Sequence, residues 1–166
     1  MTDFPRLLQC LTAGGVEFII IGGFAATAHG SAYITADLDV VYRRTPENIR
    51  RLSRTLEPLS PYLRGAPPGL PFRFDADTIE RGLNFTLHTS AGDLDLIGEA
   101  AGGGTYDVLL PHSDVRAVLD LECRFVTLDM LIRLKRAAGR PRDLERIAEL
   151  EALAQERQLR AGRSDH

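Results

Sequence analysis

Two aspartates separated by one apolar residue, Asp37-Leu38-Asp39, sit inside an apolar run that continues through Val40 and Val41. Strand interiors disfavour aspartate. In an extended strand, alternate side chains share a face. Asp37 and Asp39 therefore point the same way, roughly 7 Å apart at the backbone, while Leu38 and Val40 point into a core. Two carboxylates on one face repel each other unless a cation lies between them, and a divalent metal is the usual solution. A fold for this chain must place one face of this strand at a polar site and the other in the interior. An exposed sheet face or a strand end is the plain alternative.

The flanking sequence extends the pattern. Val16 to Ile21 is β-branched and aromatic and predicts a buried strand. Gly22-Gly23 turns the chain, and Phe24 to His29 predicts a short helix stopped at Gly30. A strand that ends in glycines and leads into a helix lets a ligand approach the backbone. The amides at the helix start then favour an anionic group such as a phosphate. Alone, the dipeptide is an ordinary turn, and no Gly-x-Gly-x-x-Gly follows it. A second Asp-x-Asp occurs at Asp93-Leu94-Asp95. Asp95, deeper in its apolar run, is expected to complete a three-carboxylate cluster. Asp93, beside Gly92, is expected to belong to a turn. Three such acids suit two Mg²⁺ ions about 4 Å apart.

Elsewhere, Thr2 can cap a helix reaching Gly14, with Leu7, Leu8 and Leu11 on one face. Thr45-Pro46 starts a helix that carries Ile49, Leu52 and Leu56 inward. Ser60 to Arg73, with Pro61, Pro67, Pro68 and Pro71, predicts a loop, either a lid or a mobile connection. Thr78 to Arg81 predicts a single helical turn. Leu83 to Thr89 and Asp93 to Ile97 predict a hairpin, and Gly98 to Gly104 a flexible connection. Val115 to Leu121 and Arg124 to Leu128 are further strand candidates. Thr127 caps a helix from Leu128 to Ala138 that ends at Gly139. Pro141 starts a last helix with Leu144, Ile147, Leu150 and Leu153 inward. From Gln155 the chain is polar, and Arg160 to His166 is expected to fray.

The 166 residues fit one domain with a helical appendage, and a hydrophobic content of 44% is enough for a core. No apolar run approaches the roughly 18 residues that cross a membrane. The start, Met1-Thr2-Asp3, lacks the basic residues of a signal peptide, so a cytoplasmic protein with no membrane partner is expected. Cys10 and Cys123 have no metal or redox spacing and read as small buried hydrophobes. A net charge of −3 argues against broad, charge-driven nucleic-acid binding. A local patch remains open: Arg43, Arg44, Arg50, Arg51 and Arg54 follow the acidic strand and could hold an RNA backbone, although a solvated helix face is the plainer explanation. Of 20 Lys and Arg, one is lysine, Lys135. A lysine in so arginine-rich a chain can be needed for its compact ammonium.

Ile21-Gly22-Gly23, the spacer Phe24 to Ala36, Asp37-Leu38-Asp39-Val40 and a later Asp95 resemble the polymerase-β-like nucleotidyltransferases. More finely, Gly22-Gly23-Phe24-Ala25-Ala26-Thr27-Ala28-His29-Gly30 is similar to the Gly-Gly-x-Ala-x-x-x-His-Gly of small bacterial AbiEii-toxin-like nucleotidyltransferases. Asp95-Leu96-Ile97-Gly98-Glu99 and the stretch Leu131 to Leu144 are similar to their later segments. The resemblance covers roughly residues 5–155. It implies an α/β (α+β) nucleotidyltransferase fold, a mixed sheet flanked by helices with a short C-terminal helical tail. The domain would span 1–155, with the helical part from about 127, and 156–166 would be a polar, disordered tail.

The resemblance also implies transfer of a nucleoside monophosphate from an NTP to an acceptor hydroxyl by two-metal-ion catalysis. Mg²⁺, with Mn²⁺ as a substitute, is the implied cofactor. Asp37, Asp39 and Asp95 would be the catalytic and metal-holding residues, with Asp95 biasing the acceptor hydroxyl towards attack. Gly22, Gly23, Ser31, Lys135 and Arg140 would bind the nucleotide, with Asp143 orienting an arginine. His29 reads more simply as a packed histidine. Implied partners are tRNA or another RNA acceptor and a cognate antitoxin protein. A catalytically inactive nucleotide-binding or interaction module, or an antibiotic-modifying enzyme, would share these residues.

Overall fold

The computed structural model describes residues 1–164. Its elements are α1 (Phe4–Ala13), β1 (Phe18–Ile21), α2 (Gly22–Ala28), β2 (Asp37–Tyr42), α3 (Pro46–Leu56), β3 (Tyr62–Leu63), α4 (Ala76–Arg81), β4 (Phe85–Thr89), β5 (Gly92–Ile97), β6 (Glu99–Ala100), β7 (Gly104–Thr105), α5 (Tyr106–Leu109), β8 (Ser113–Val118), β9 (Leu121–Val126), α6 (Leu128–Ala138) and α7 (Pro141–Ser164). Seven strands form one mixed sheet in the order β3-β4-β5-β2-β1-β9-β8, and β6 and β7 form a small separate ribbon. β2 runs antiparallel to β1 and parallel to β5, and β1 runs parallel to β9. The result is an α/β architecture, a mixed sheet flanked by helices with a helical C-terminal segment.

β1 lies inside the sheet, between β2 and β9, and is buried throughout, which is why it reads as an unbroken apolar run. β2 alternates instead. Leu38 and Val40 are fully buried, while Asp37 and Asp39 are half-buried on the opposite face. Beneath the apolar face, α1 contributes Leu7, Leu8 and Leu11, and α3 contributes Ile49, Leu52 and Leu56. Each such side chain contributes about 1.5–3 kcal/mol of burial. Local chemistry fixes where α3 begins: the Thr45 Oγ1 accepts the Asn48 backbone N–H at 3.2 Å, with Pro46 in the first turn.

Several boundaries differ from the expectation. Asp3, not Thr2, caps α1 by accepting the Arg6 N–H at 3.1 Å. The Thr2 hydroxyl donates to the Ala36 carbonyl and accepts the Asp93 N–H, tying the chain start to β2 and β5. α2 begins at Gly22, so both glycines lie inside its first turn. The Pro-rich segment yields β3, a two-residue strand at the sheet edge, where the preceding Pro61 removes no ladder bond. β8 stops at Val118, because Leu119 and Asp120 take positive φ and make the tight turn into β9.

α7 carries Ile147 and Leu150 inward, but Leu144 is 67% exposed and the charged Asp143 is the buried residue at that end. The same helix continues to Ser164, where 156–166 was expected to be a disordered tail; the last two residues of that tail lie outside the described residues. Among the described residues no helix is long and apolar enough to cross a membrane.

Candidate active site

The register of the central strands builds a grid on the polar face. β5 pairs with β2 so that Asp39 stands opposite Asp95 and Asp37 opposite Asp93. β4 pairs with β5 so that Thr86 stands opposite Asp95 and His88 opposite Asp93. Directly paired residues share a face. Two rows result: Thr86-Asp95-Asp39 and His88-Asp93-Asp37. Asp93 therefore lies within β5 and not in a turn, contrary to expectation; the turn is Ser90-Ala91, and Gly92, at φ 111°, is the first residue of the strand.

Oxygens of Asp37, Asp39 and Asp95 all lie within 4.8 Å of one another. This crowding shows in the acidity of the group. Asp39 is pushed up to about 8 by burial, by its hydrogen bond with Asp95 and by the charge of Asp37. Asp95 is also raised, first by burial, with Arg64 opposing the shift. Gly22 makes the approach of Asp39 possible. It holds φ 68°, and a Cβ placed there would lie 2.0 Å from Asp39 Oδ2. A Cβ on Gly23 would meet the Thr35 side chain at 2.7 Å.

The carboxylates border a cavity of about 690 Å³ between the sheet and helices α2, α6 and α7. Gly22, Gly23, Ser31, Lys135 and Arg140 all line it, as do Arg142 and Arg146. Lys135 is 8% exposed, and burial lowers its pKa against the opposing pull of Asp143. Asp143 is buried yet stays below the usual carboxylate range. Burial acts upward on it, but hydrogen bonding and charge from Arg140 prevail, with the Arg140 Nε donating at 2.9 Å. Asp143 thus orients Arg140 at the cavity wall. Ser31 is less free: its hydroxyl donates to Glu149, which also accepts the Ala32 N–H at 3.1 Å.

His29 is a packed histidine, 4% exposed, with Nε2 at 2.8 Å from the Val126 carbonyl oxygen and Arg157 against its Nδ1. The arginines after β2 lie away from the cavity. Arg43 pairs with Glu17 and Asp107, Arg44 donates to Tyr42 and two backbone carbonyls, and Arg51 pairs with Glu47.

Two residues at the site were not anticipated from the sequence. Arg64, just after β3, extends its guanidinium to Asp95 at 2.8 Å, Asp93 at 3.4 Å and Asp37 at 3.7 Å. Its buried Nε has no hydrogen-bond partner. Glu149 on α7 is the other. An isolated arginine in a Pro-rich loop carries no sequence signal for such a role, and Glu149 reads as one more charge on a polar helix.

No protein-family model and no curated protein matches the sequence. Among solved structures, the chain is similar to one from Thermotoga maritima provisionally described as a nucleotidyltransferase. That similarity spans 100% of this chain and 97% of the other, at 11% identity and a TM-score of 0.46.

Proposed function

We propose that the chain is a nucleotidyltransferase that moves a nucleoside monophosphate from an NTP to an acceptor hydroxyl. The observation that carries this reading is the convergence of Asp37, Asp39 and Asp95 at the edge of a cavity whose far wall is basic. The donor set is all carboxylate oxygen, which fits Mg²⁺ or Mn²⁺ and not a soft metal. Asp37, Asp39 and Asp95 would hold it, and the bound ion supplies Lewis-acid stabilisation of charge on the transferring phosphoryl group. Lys135 and Arg140 face the same space and would take the β- and γ-phosphates, stabilising charge as pyrophosphate departs. The missing side chains at Gly22 and Gly23 let Asp39 and Thr35 pack against that backbone, and both glycines line the cavity that the phosphates would enter. Asp95, on the outer strand of the pair, would bias the acceptor hydroxyl towards the α-phosphorus.

Following the resemblance to AbiEii-type proteins, the acceptor is RNA, including tRNA ends, and the chain is a toxin held by a partner antitoxin. The test is transfer from α-labelled NTPs, with Mg²⁺ or Mn²⁺, to a mixed pool of RNA and protein. Label on RNA supports the full reading. Label on protein keeps the chemistry and removes the acceptor assignment. No label on either contradicts the proposal.

One observation favours a second reading, an inactive nucleotide-binding module. Arg64 already supplies a cation to Asp37, Asp93 and Asp95. In such a module the guanidinium would be the permanent counter-ion. Mn²⁺ would then fail to bind with measurable affinity in the presence of NTP.

A further inference from the structure

Beyond Asp95, away from the cavity, the sheet presents an exposed face that the nucleotide does not need. β4 lies there, and it carries Thr86 and His88 outward in the pattern buried–exposed–buried–exposed–buried. The His88 Nδ1 lies 2.7 Å from Asp93 Oδ1, and the His88 side chain is 66% exposed. A carboxylate on Nδ1 selects the tautomer in which Nδ1–H donates. In that tautomer Nε2 carries the ring's lone pair. Asp93 is itself held by Arg64, and Tyr62 on β3 stands opposite His88 in the register. The groups facing His88 are therefore Tyr62, Arg64 and Asp93.

Position gives this pair a role. Phosphoryl transfer runs in line, so acceptor and leaving pyrophosphate occupy opposite sides of the α-phosphorus. The groups suited to pyrophosphate, Gly22, Gly23, Lys135 and Arg140, lie on the β1, α2 and α6 side of the carboxylates. The opposite side of the carboxylates, over β5 and β4, is left for the acceptor. We propose that His88, oriented by Asp93, is the residue that takes the acceptor's proton; this rests on the nucleotidyl-transfer reading above. The acceptor oxygen forms a bond to the α-phosphorus with its own electron pair. Its proton passes to His88 Nε2. The bond from the α-phosphorus to the bridging oxygen breaks, and its electron pair leaves with pyrophosphate. The resulting imidazolium is balanced by the Asp93 carboxylate and returns its proton to water.

The test compares wild type with His88→Ala and His88→Gln, which alter an exposed side chain and leave the core intact. Transfer of α-label to the mixed RNA and protein pool is measured beside the Kd of NTP with Mg²⁺, with and without added imidazole. Expected are an unchanged NTP Kd, a loss of transfer of about 10²-fold or more in both variants, and partial recovery of His88→Ala by imidazole but not of His88→Gln. Transfer by His88→Ala within about threefold of wild type overturns the assignment and leaves the parent reading intact. Loss without imidazole recovery, or loss matched by weaker NTP binding, also overturns it. Absence of transfer by wild type removes the parent reading itself.

Discussion

Asp39 on β2 and Asp95 on β5 are direct partners across two parallel strands, and an oxygen of Asp37 lies within 4.8 Å of both. Neighbouring strands are about 4.8 Å apart. The sheet's own register, and not a flexible loop, therefore forces the carboxylates together. Such a pair needs a proton, a guanidinium or a metal ion. The structure supplies the second through Arg64, and the raised Asp39 indicates the first.

Without divalent ions, stability should depend on the proton that Asp39 holds. Asp39 has a folded pKa of about 8 against an ordinary 3.8. Between these values the folded state holds a proton that the unfolded state has lost, so stability falls as pH rises through this window and levels off above about 8. Asp39→Asn removes that penalty. Its melting temperature in EDTA should match wild type near pH 4 and exceed it by at least about 3 °C at pH 9. A difference independent of pH would contradict the assigned shift.

Metal affinity should follow the same proton. Divalent binding requires the deprotonated carboxylate, so the apparent Kd for Mn²⁺ should tighten by up to about tenfold per pH unit below 8 and then plateau. Calorimetry in buffers of different ionisation enthalpy should register proton release of about one per site at pH 7. An affinity unchanged between pH 6 and 8 would exclude Asp39 as a ligand.

Arg64 would compete with a divalent ion for the same oxygens. Arg64→Gln leaves the carboxylates without their cation and should lower stability in EDTA by about 1–3 kcal/mol, a range discounted for partial exposure of the pair. Mn²⁺ should restore most of that loss, and its Kd should be tighter than in wild type by about three- to tenfold. Weaker Mn²⁺ binding in the variant would show that Arg64 supports the metal site instead of competing with it.

Gly22→Ala and Gly69→Ala separate backbone strain from site geometry. Both positions hold positive φ, at 68° and 87°, but a Cβ on Gly69 meets nothing within 4 Å. Each should lose about 1–2 kcal/mol from the left-handed conformation. Only Gly22→Ala pushes Asp39 aside, and it alone should weaken Mn²⁺ binding, by about tenfold or more. Equal metal affinity in the two variants would detach Gly22 from the site.

Features set by local chemistry were legible in the sequence. The helix starts at Thr45-Pro46 and Thr127, the glycine end at Gly139 and the alternation of Asp37 to Val40 each depend on a few neighbouring residues. The convergence of Asp37, Asp39 and Asp95 followed from alternation plus the assumption that β2 and β5 are neighbours. Features that depend on register or distant packing were not legible. Arg64 reaches the carboxylates only because β3 adds to β4, and Glu149 meets Ser31 from 118 positions away. Asp93 looked like a turn residue because Gly92 precedes it, yet the pairing with Asp37 carries the strand through it. Leu144 fits the helical period, but Arg140 and Lys135 draw Asp143 into the buried position instead.

The most direct measurement follows parallel reactions with α-labelled and γ-labelled NTP and Mg²⁺ in wild type and folded Asp39→Asn. Wild type should place α-label, but not γ-label, on the acceptor and release γ-label as pyrophosphate. Asp39→Asn should transfer at least about 10²-fold less. Transfer of γ-label to the acceptor, or full α-transfer by Asp39→Asn, would contradict it.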